Sequence, residues 1–191
     1  MTIAFDIDGV LTDLEKYIKE EGREFFKKDI VDELGRDIDE IFGVSKSDKE
    51  AFWSAKSMDY IETYPLRDEA SRVTHELHDL GYKVLIVTAR KFNPSCHRCK
   101  DDLEYRQITE KILVENGIYF DGLYFEPSPK VDAVSKYNID VFVEDEVRNI
   151  VPLSKVTKVI ILNSSYNRSC DSTTAYRVKS LNDIPNLLKS W

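Results

Sequence analysis

The sequence predicts an α/β fold: a mostly parallel sheet with helices on both faces. Two observations carry this. Short apolar, β-prone runs recur along the chain, and most segments between them show helical spacing of apolar residues. A third refines it, because residues 13–65 break the alternation with helical patterns alone.

The first run, Thr2 to Phe5, reads as a buried strand that breaks into DIDG. Within 13–65, Tyr17, Ile18, Phe25 and Phe26 fall near helical spacing, as do Ile38, Ile41 and Phe42, then Phe52, Trp53 and Tyr60. A helical insert directly after the first strand would sit over the strand ends as a cap. Residues 69–80 put Ala70, Val73, Leu77 and Leu80 on one helix face and lead through Gly81 into the run KVLIV, which is followed by Thr88. Residues 103–116 do the same with Ile108, Ile112 and Leu113 and stop at Gly117, a C-cap signal. Runs at 122–125, 140–143 and 158–162 complete a five-stranded sheet. In such sheets ligands bind at the carboxyl ends of the strands. That rule brings together Asp6-Ile7-Asp8, Thr88-Ala89-Arg90, residues 126–130 and Glu144-Asp145.

Bulk properties narrow the function. The 191 residues suffice for one domain with a modest appended lobe, and a hydrophobic fraction of 42% suits a globular core. The net charge of -8, without a basic run, argues against a nucleic-acid polymer as partner. A small phosphorylated metabolite is still compatible, because one lysine and one metal ion can govern a local site. MTIAFDIDGV has no basic n-region, and no apolar run approaches the ~20 residues that span a bilayer. With three cysteines, an odd number, the expectation is a cytoplasmic protein with reduced thiols and no membrane partner. The sequence says nothing of its oligomeric state.

Asp6 and Asp8 stand two apart where a strand runs out, and carboxylates so close resist joint ionisation unless a cation lies between them. Hard oxygen ligands suit Mg²⁺. Asp145 follows a second strand and adds a third acid, while Lys130 and Thr88 offer charge and a hydroxyl to a phosphoryl group. Taken singly, each has a plainer reading. DxDG occurs in turns and calcium loops, Thr88 would be a strand-end hydroxyl, and Lys130 a solvated surface lysine. The signal lies in all of them, in order, at strand ends.

FDIDGVLTD, VTAR, Lys130 and VEDEVRN resemble the four motifs of the haloacid dehalogenase-like (HAD) superfamily, and the resemblance runs from Thr2 to about Leu162. It implies a Rossmann-like three-layer core at residues 1–13 and 66–191, with a C1-type helical cap at 14–65. Among relatives, YPLRDEA, GYKVLIVTAR and DVFVEDEVRN are similar to bacterial nucleotidases related to 5'(3')-deoxyribonucleotidases. The implied activity is Mg²⁺-dependent phosphomonoester hydrolysis on a nucleoside monophosphate, with a sugar or polyol phosphate as the rival substrate. A non-catalytic regulator that binds phosphorylated ligands is the rival of another class. The resemblance makes Asp6 the nucleophile and Asp8 the acid/base, and it assigns the metal to Asp6, the Asp8 carbonyl and Asp145. Phosphate falls to Thr88, the Ala89 amide and Lys130. Glu144 replaces the family's frequent glycine and is left as a supporting acid, and Asn149 stands where a second acid is frequent.

Other features stay open. Cys96, His97 and Cys99, with Cys170, hint at zinc, but a closed zinc site usually draws on two separated clusters, and adjacent Cys96-His97 is poor spacing. A loop with free thiols is the plainer reading. Phe52, Trp53 and Tyr60 are candidates for stacking on a base, Trp53 first among them, against an ordinary core role. Arg67 and Arg90 are candidates for substrate contact, and NSSYNR, after the last clear strand, borders the site without an assigned role.

Overall fold

The computed structural model describes residues 1–94, 98–170 and 175–191. Its strands are β1 (Thr2–Phe5), β2 (Lys83–Thr88), β3 (Gly122–Phe125), β4 (Val141–Glu144), β5 (Lys158–Leu162) and β6 (Ala175–Val178). All pair in parallel, in the order β3-β2-β1-β4-β5-β6. The helices are α1 (Leu14–Phe26), α2 (Ile38–Phe42), α3 (Lys46–Thr63), α4 (Ala70–Asp79), α5 (Asp102–Glu115), α6 (Val131–Tyr137), α7 (Val147–Leu153) and α8 (Ile184–Lys189).

Alternation along each strand divides the core. Ile3, Phe5, Val84, Ile86, Val141 and Val143 pack on one face with Ala70, Val73 and Leu77 of α4 and Ile184 and Leu188 of α8. Ala4, Leu85, Val87, Phe142 and Val159 pack on the other with Ala133 of α6 and Ile150 and Leu153 of α7. Burial on both faces explains why the central strands read as continuous apolar runs. Leu80, expected on the α4 face, is instead the residue that ends the helix and is 43% exposed.

The sheet has six strands, one more than the sequence predicts. β6 reads AYRV; only Val178 is buried, and Tyr176 is exposed beside Trp191. An edge strand covered on one face carries no apolar run, so its pattern escapes a search for buried strands.

Helices α1 to α3 share a cluster of their own: Leu14, Tyr17, Ile18, Ile38, Ile41, Phe42, Phe52, Met58, Tyr60 and Ile61. Cys99 and Tyr105, from outside the insert, join it. Gly22 permits α1 to meet α2 closely, since a Cβ there would lie 2.2 Å from the Phe42 ring.

Candidate active site

Strand order reverses between β1 and β4. β2 and β3 lie outward on one side, β5 and β6 on the other, and the crevice of such a sheet opens at this reversal. Asp6 and Asp145 are the residues that follow these two strands. The Asp6 amide donates to the Val143 carbonyl at 3.1 Å, extending the β1–β4 ladder to the site's edge.

Asp6 is held at both oxygens. Oδ1 accepts from the Ile7 amide at 2.8 Å, and Oδ2 meets Lys130 Nζ at 2.6 Å. Lys130, with its side chain fully buried, also donates to Glu144 Oε2 at 2.9 Å. The surface-lysine reading is therefore wrong. Glu144 Oε1 accepts from Asn149 Nδ2 at 3.1 Å, and Ser128 Oγ donates to Asn149 Oδ1. Burial opposes the Lys130 ammonium, but Asp6 and Glu144 hold it charged beyond the ordinary lysine range. For Asp6, burial dominates and pushes the carboxyl up to about 7; Lys130 pulls against this, and Glu144 and Asp8 push with it.

After Asp6 the chain turns sharply through residues 7–11. Gly9 has φ 88°, and a Cβ there would lie 2.0 Å from Asp145 Oδ2, so only glycine lets this loop pass the second acid. Arg67 braces the loop. Its Nε donates to the Val10 carbonyl at 3.1 Å and its Nη2 to the Gly9 carbonyl at 3.3 Å, which is a structural task rather than the substrate contact suggested by the sequence.

Asp8 is gripped by Arg90, whose Nε lies 2.9 Å from Oδ2 and whose Nη2 lies 2.6 Å from Oδ1. Burial pushes the Asp8 carboxyl up, but Arg90 and Tyr60 outweigh it and leave it below the usual carboxylate range. Thr88 ends β2 fully buried, and its hydroxyl accepts the Arg90 amide at 3.2 Å.

Asp145 is fully buried. Burial pushes its carboxyl up to about 7, Arg36 pulls it down, and Asp6 pushes it up again. Tyr166 donates to its Oδ2, while Oδ1 has no hydrogen-bond partner. Asp6, Glu144 and Asp145 each bring a carboxylate oxygen within 4.8 Å of the others. Three buried acids thus face a single ammonium, and one buried acceptor is bare. A divalent cation fits this donor set, because hard oxygens and uncompensated negative charge are what such an ion relieves.

Above the acids lies a cavity of about 360 Å³. Asp6, Asp8, Ala89, Arg90 and Asn149 line its floor side, and Arg36, Trp53, Tyr60 and Ile61 line it from the insert. Thr88, Lys130, Glu144 and Asp145 stand behind this wall. Trp53 serves two surroundings. It faces the cavity, and it packs on Phe52 at 5.1 Å and Tyr60 at 6.4 Å between ring centroids.

Sequence reasoning missed Arg36 and the role of Tyr166, and it raised Tyr60 only as a residue that could stack on a base. Arg36 reaches from the loop before α2 to Glu146, with Nε 2.7 Å from Oε2, and lies 5.0 Å over the Tyr166 ring. Tyr60 contacts Thr12 Oγ1 at 2.5 Å and stands 5.5 Å below the Arg90 guanidinium. Tyr166 belongs to NSSYNR. That segment's signal was its place at the end of β5. As for the zinc reading, Cys96 and His97 lie outside the described residues. Cys99 is buried in the insert's cluster and Cys170 in the cluster beneath α6 and α7, so these two thiols do not share a site.

No family model matches the chain. A solved structure described as a predicted phosphatase from Clostridium acetobutylicum shares the fold with a TM-score of 0.66 and 17% identity, covering 100% of this chain and 98% of that one. A heptose bisphosphate phosphatase from B. bronchiseptica, complexed with magnesium and phosphate, does so with a TM-score of 0.56 and 12% identity, covering 100% and 99%. With its four motifs near the strand ends, the chain has the fold of these phosphatases and resembles the haloacid dehalogenase-like superfamily. In sequence it is similar to a nucleotidase of Clostridium acetobutylicum, 26% identical over 171 residues that make up 88% of this chain and 83% of that protein. No helix among the described residues is long and apolar enough to cross a membrane.

Proposed function

We propose that this enzyme hydrolyses a nucleoside monophosphate through a covalent phosphate on Asp6, with Mg²⁺ as its cation. The observation that carries the reading is the Asp6 carboxylate itself. It lines the cavity, is oriented by the Ile7 amide and Lys130, and lies beside two further buried acids.

In the first half-reaction an Asp6 oxygen bonds to phosphorus and the ester P–O bond breaks. The departing oxygen takes its proton from Asp8. In the second, water gives a proton to Asp8 as its oxygen bonds to phosphorus, which frees the Asp6 carboxylate and inorganic phosphate. Lys130 offsets charge on the nucleophile and the phosphoryl oxygens, and Thr88 with the Ala89 amide receives those oxygens. Asp6, the Asp8 carbonyl and Asp145 would hold the cation, which neutralises phosphoryl charge when bound. Arg90 ties Asp8 in the ionised form, so its grip must loosen for Asp8 to donate, and an incoming phosphoryl group competes for the same guanidinium.

Residues 14–65 act as the cap in this reading. Their wall of Trp53, Tyr60 and Ile61 suits a flat, partly apolar leaving group, and the similarity to a curated nucleotidase supports the choice of a nucleoside. The test is a phosphatase panel of nucleoside monophosphates, sugar phosphates and polyol phosphates, with Mg²⁺ and with EDTA. The highest kcat/KM is expected on a nucleotide with Mg²⁺. A sugar or polyol phosphate turned over faster than every nucleotide would overturn the substrate class.

A further inference from the structure

The loop after β5 makes an unusually firm approach to the acid cluster. Asn167, fully buried, donates through Nδ2 to the Asp145 carbonyl at 2.8 Å and to the Leu162 carbonyl at 2.9 Å. Its Oδ1 accepts from the Ser164 amide at 3.1 Å and from Arg177 Nη1 at 2.8 Å. These four bonds tie the loop to the ends of β4 and β5 and to β6, and they fix the neighbouring residue, Tyr166. The Tyr166 hydroxyl donates to Asp145 Oδ2, and its ring lies under the Arg36 guanidinium. The other oxygen, Oδ1, is buried and bare. One oxygen is therefore occupied by a neutral donor, and the other is left to a ligand.

We propose that Tyr166 is a positioning residue that clamps one oxygen of Asp145, so that the other is presented to the divalent cation. The inference rests on the cation reading of the acid cluster. A carboxylate bound at one oxygen cannot rotate freely, so its bare oxygen keeps a fixed place in the cluster that Asp145 forms with Asp6 and Glu144. Arg36 gives the clamp a further task. Among charged groups it draws most strongly on Asp145, and Tyr166 holds one Asp145 oxygen while its ring lies under that guanidinium. Groups that orient a metal ligand in this way typically change affinity by about 10- to 100-fold when removed.

The test is Tyr166→Phe, which keeps the ring under Arg36 and deletes only the donor. Metal-stripped wild type and variant are titrated with Mg²⁺ by isothermal calorimetry, and each is then assayed across a Mg²⁺ series. The variant is expected to bind Mg²⁺ about 10- to 100-fold more weakly, with kcat at saturating Mg²⁺ within about threefold of wild type. A purely structural tyrosine would instead lower the melting temperature of the metal-free protein and leave the Mg²⁺ Kd unchanged, which overturns the proposal. Should phenylalanine fail to fold, Tyr166→Trp is read against the same expectation. A wild type that binds no Mg²⁺ by calorimetry would overturn the cation reading itself, and the role of Tyr166 with it.

Discussion

Replacing Lys130 by methionine keeps an unbranched side chain one atom shorter and deletes its charge. In the native protein the ammonium touches Asp6 at 2.6 Å and Glu144 at 2.9 Å, with no exposure of the lysine side chain. Its loss leaves two carboxylates buried and uncompensated beside a third, Asp145. Removing one partner of a buried ion pair costs about 3–5 kcal/mol. In a chain of this size each kcal/mol moves the melting temperature by roughly 2–4 °C, so the fall should be about 6–20 °C. Circular-dichroism melts in EDTA at pH 7.5 measure it. Lys130→Met combined with Glu144→Gln should recover part of the loss, because one of the stranded charges is then gone. Turnover should collapse in both variants. A melting temperature within about 2 °C of wild type for Lys130→Met would refute the reasoning, because it would mean that the acids do not depend on this lysine.

Asp6→Asn should abolish turnover while the protein stays folded, since burial already opposes the Asp6 charge and Glu144 still pairs with Lys130; wild-type rates in a folded variant would end the covalent mechanism. EDTA should remove activity and Mg²⁺ restore it, with a definite pH signature. Burial holds the Asp6 and Asp145 carboxyls near 7 in the metal-free protein, above their unfolded values of about 3.9, so they favour folding at low pH and lose that contribution as pH rises through 7. The rise in melting temperature on adding Mg²⁺ should accordingly be larger at pH 8 than at pH 5.5, and equal increments at both would contradict it. Trp53→Ala should lower kcat/KM for a nucleotide by about ten- to a hundredfold, from the ~1–3 kcal/mol of a base–aromatic stack. p-Nitrophenyl phosphate should suffer much less. Because Trp53 also packs on Phe52 and Tyr60, some loss of melting temperature is expected as well, and an equal kinetic loss on both substrates would leave only the packing role.

The parts of this fold that were legible are those whose burial writes a local pattern. β1, β2, β4 and β5 are covered on both faces and read as apolar runs, and Asp6, Thr88 and Asp145 were found because each stands where such a run ends. β6 was lost because one covered face at a sheet edge leaves no run. Lys130 was picked out by its place after the third strand, but nothing local to a lysine announces that tertiary packing will bury it. Arg36 comes from the insert and reaches the acids only through the packing of α1 to α3, so no spacing in the sequence points to it; helical spacing did mark Tyr60, but not its contacts with Thr12 and Arg90. Arg67 shows the converse. An arginine near a site invites a substrate role, yet the loop it braces had carbonyls to satisfy, and nothing in the sequence reveals where those carbonyls face.

The pairing of β1 with β4 has a temporal side. The Thr2 amide donates to Asp140 Oδ2 across 138 positions, so the strand that delivers Asp6 finds its central partner only after a long stretch of further chain exists. During synthesis Asp6 emerges well before Lys130, Glu144 and Asp145. Closing so long a loop is slow relative to forming the local helices of the insert. A nascent chain therefore carries Asp6 without the lysine and acids that surround it in the fold. On the proposed mechanism, activity would appear only when the middle of the sheet zips shut, which would make it a report on the longest-range strand pairing among the described residues.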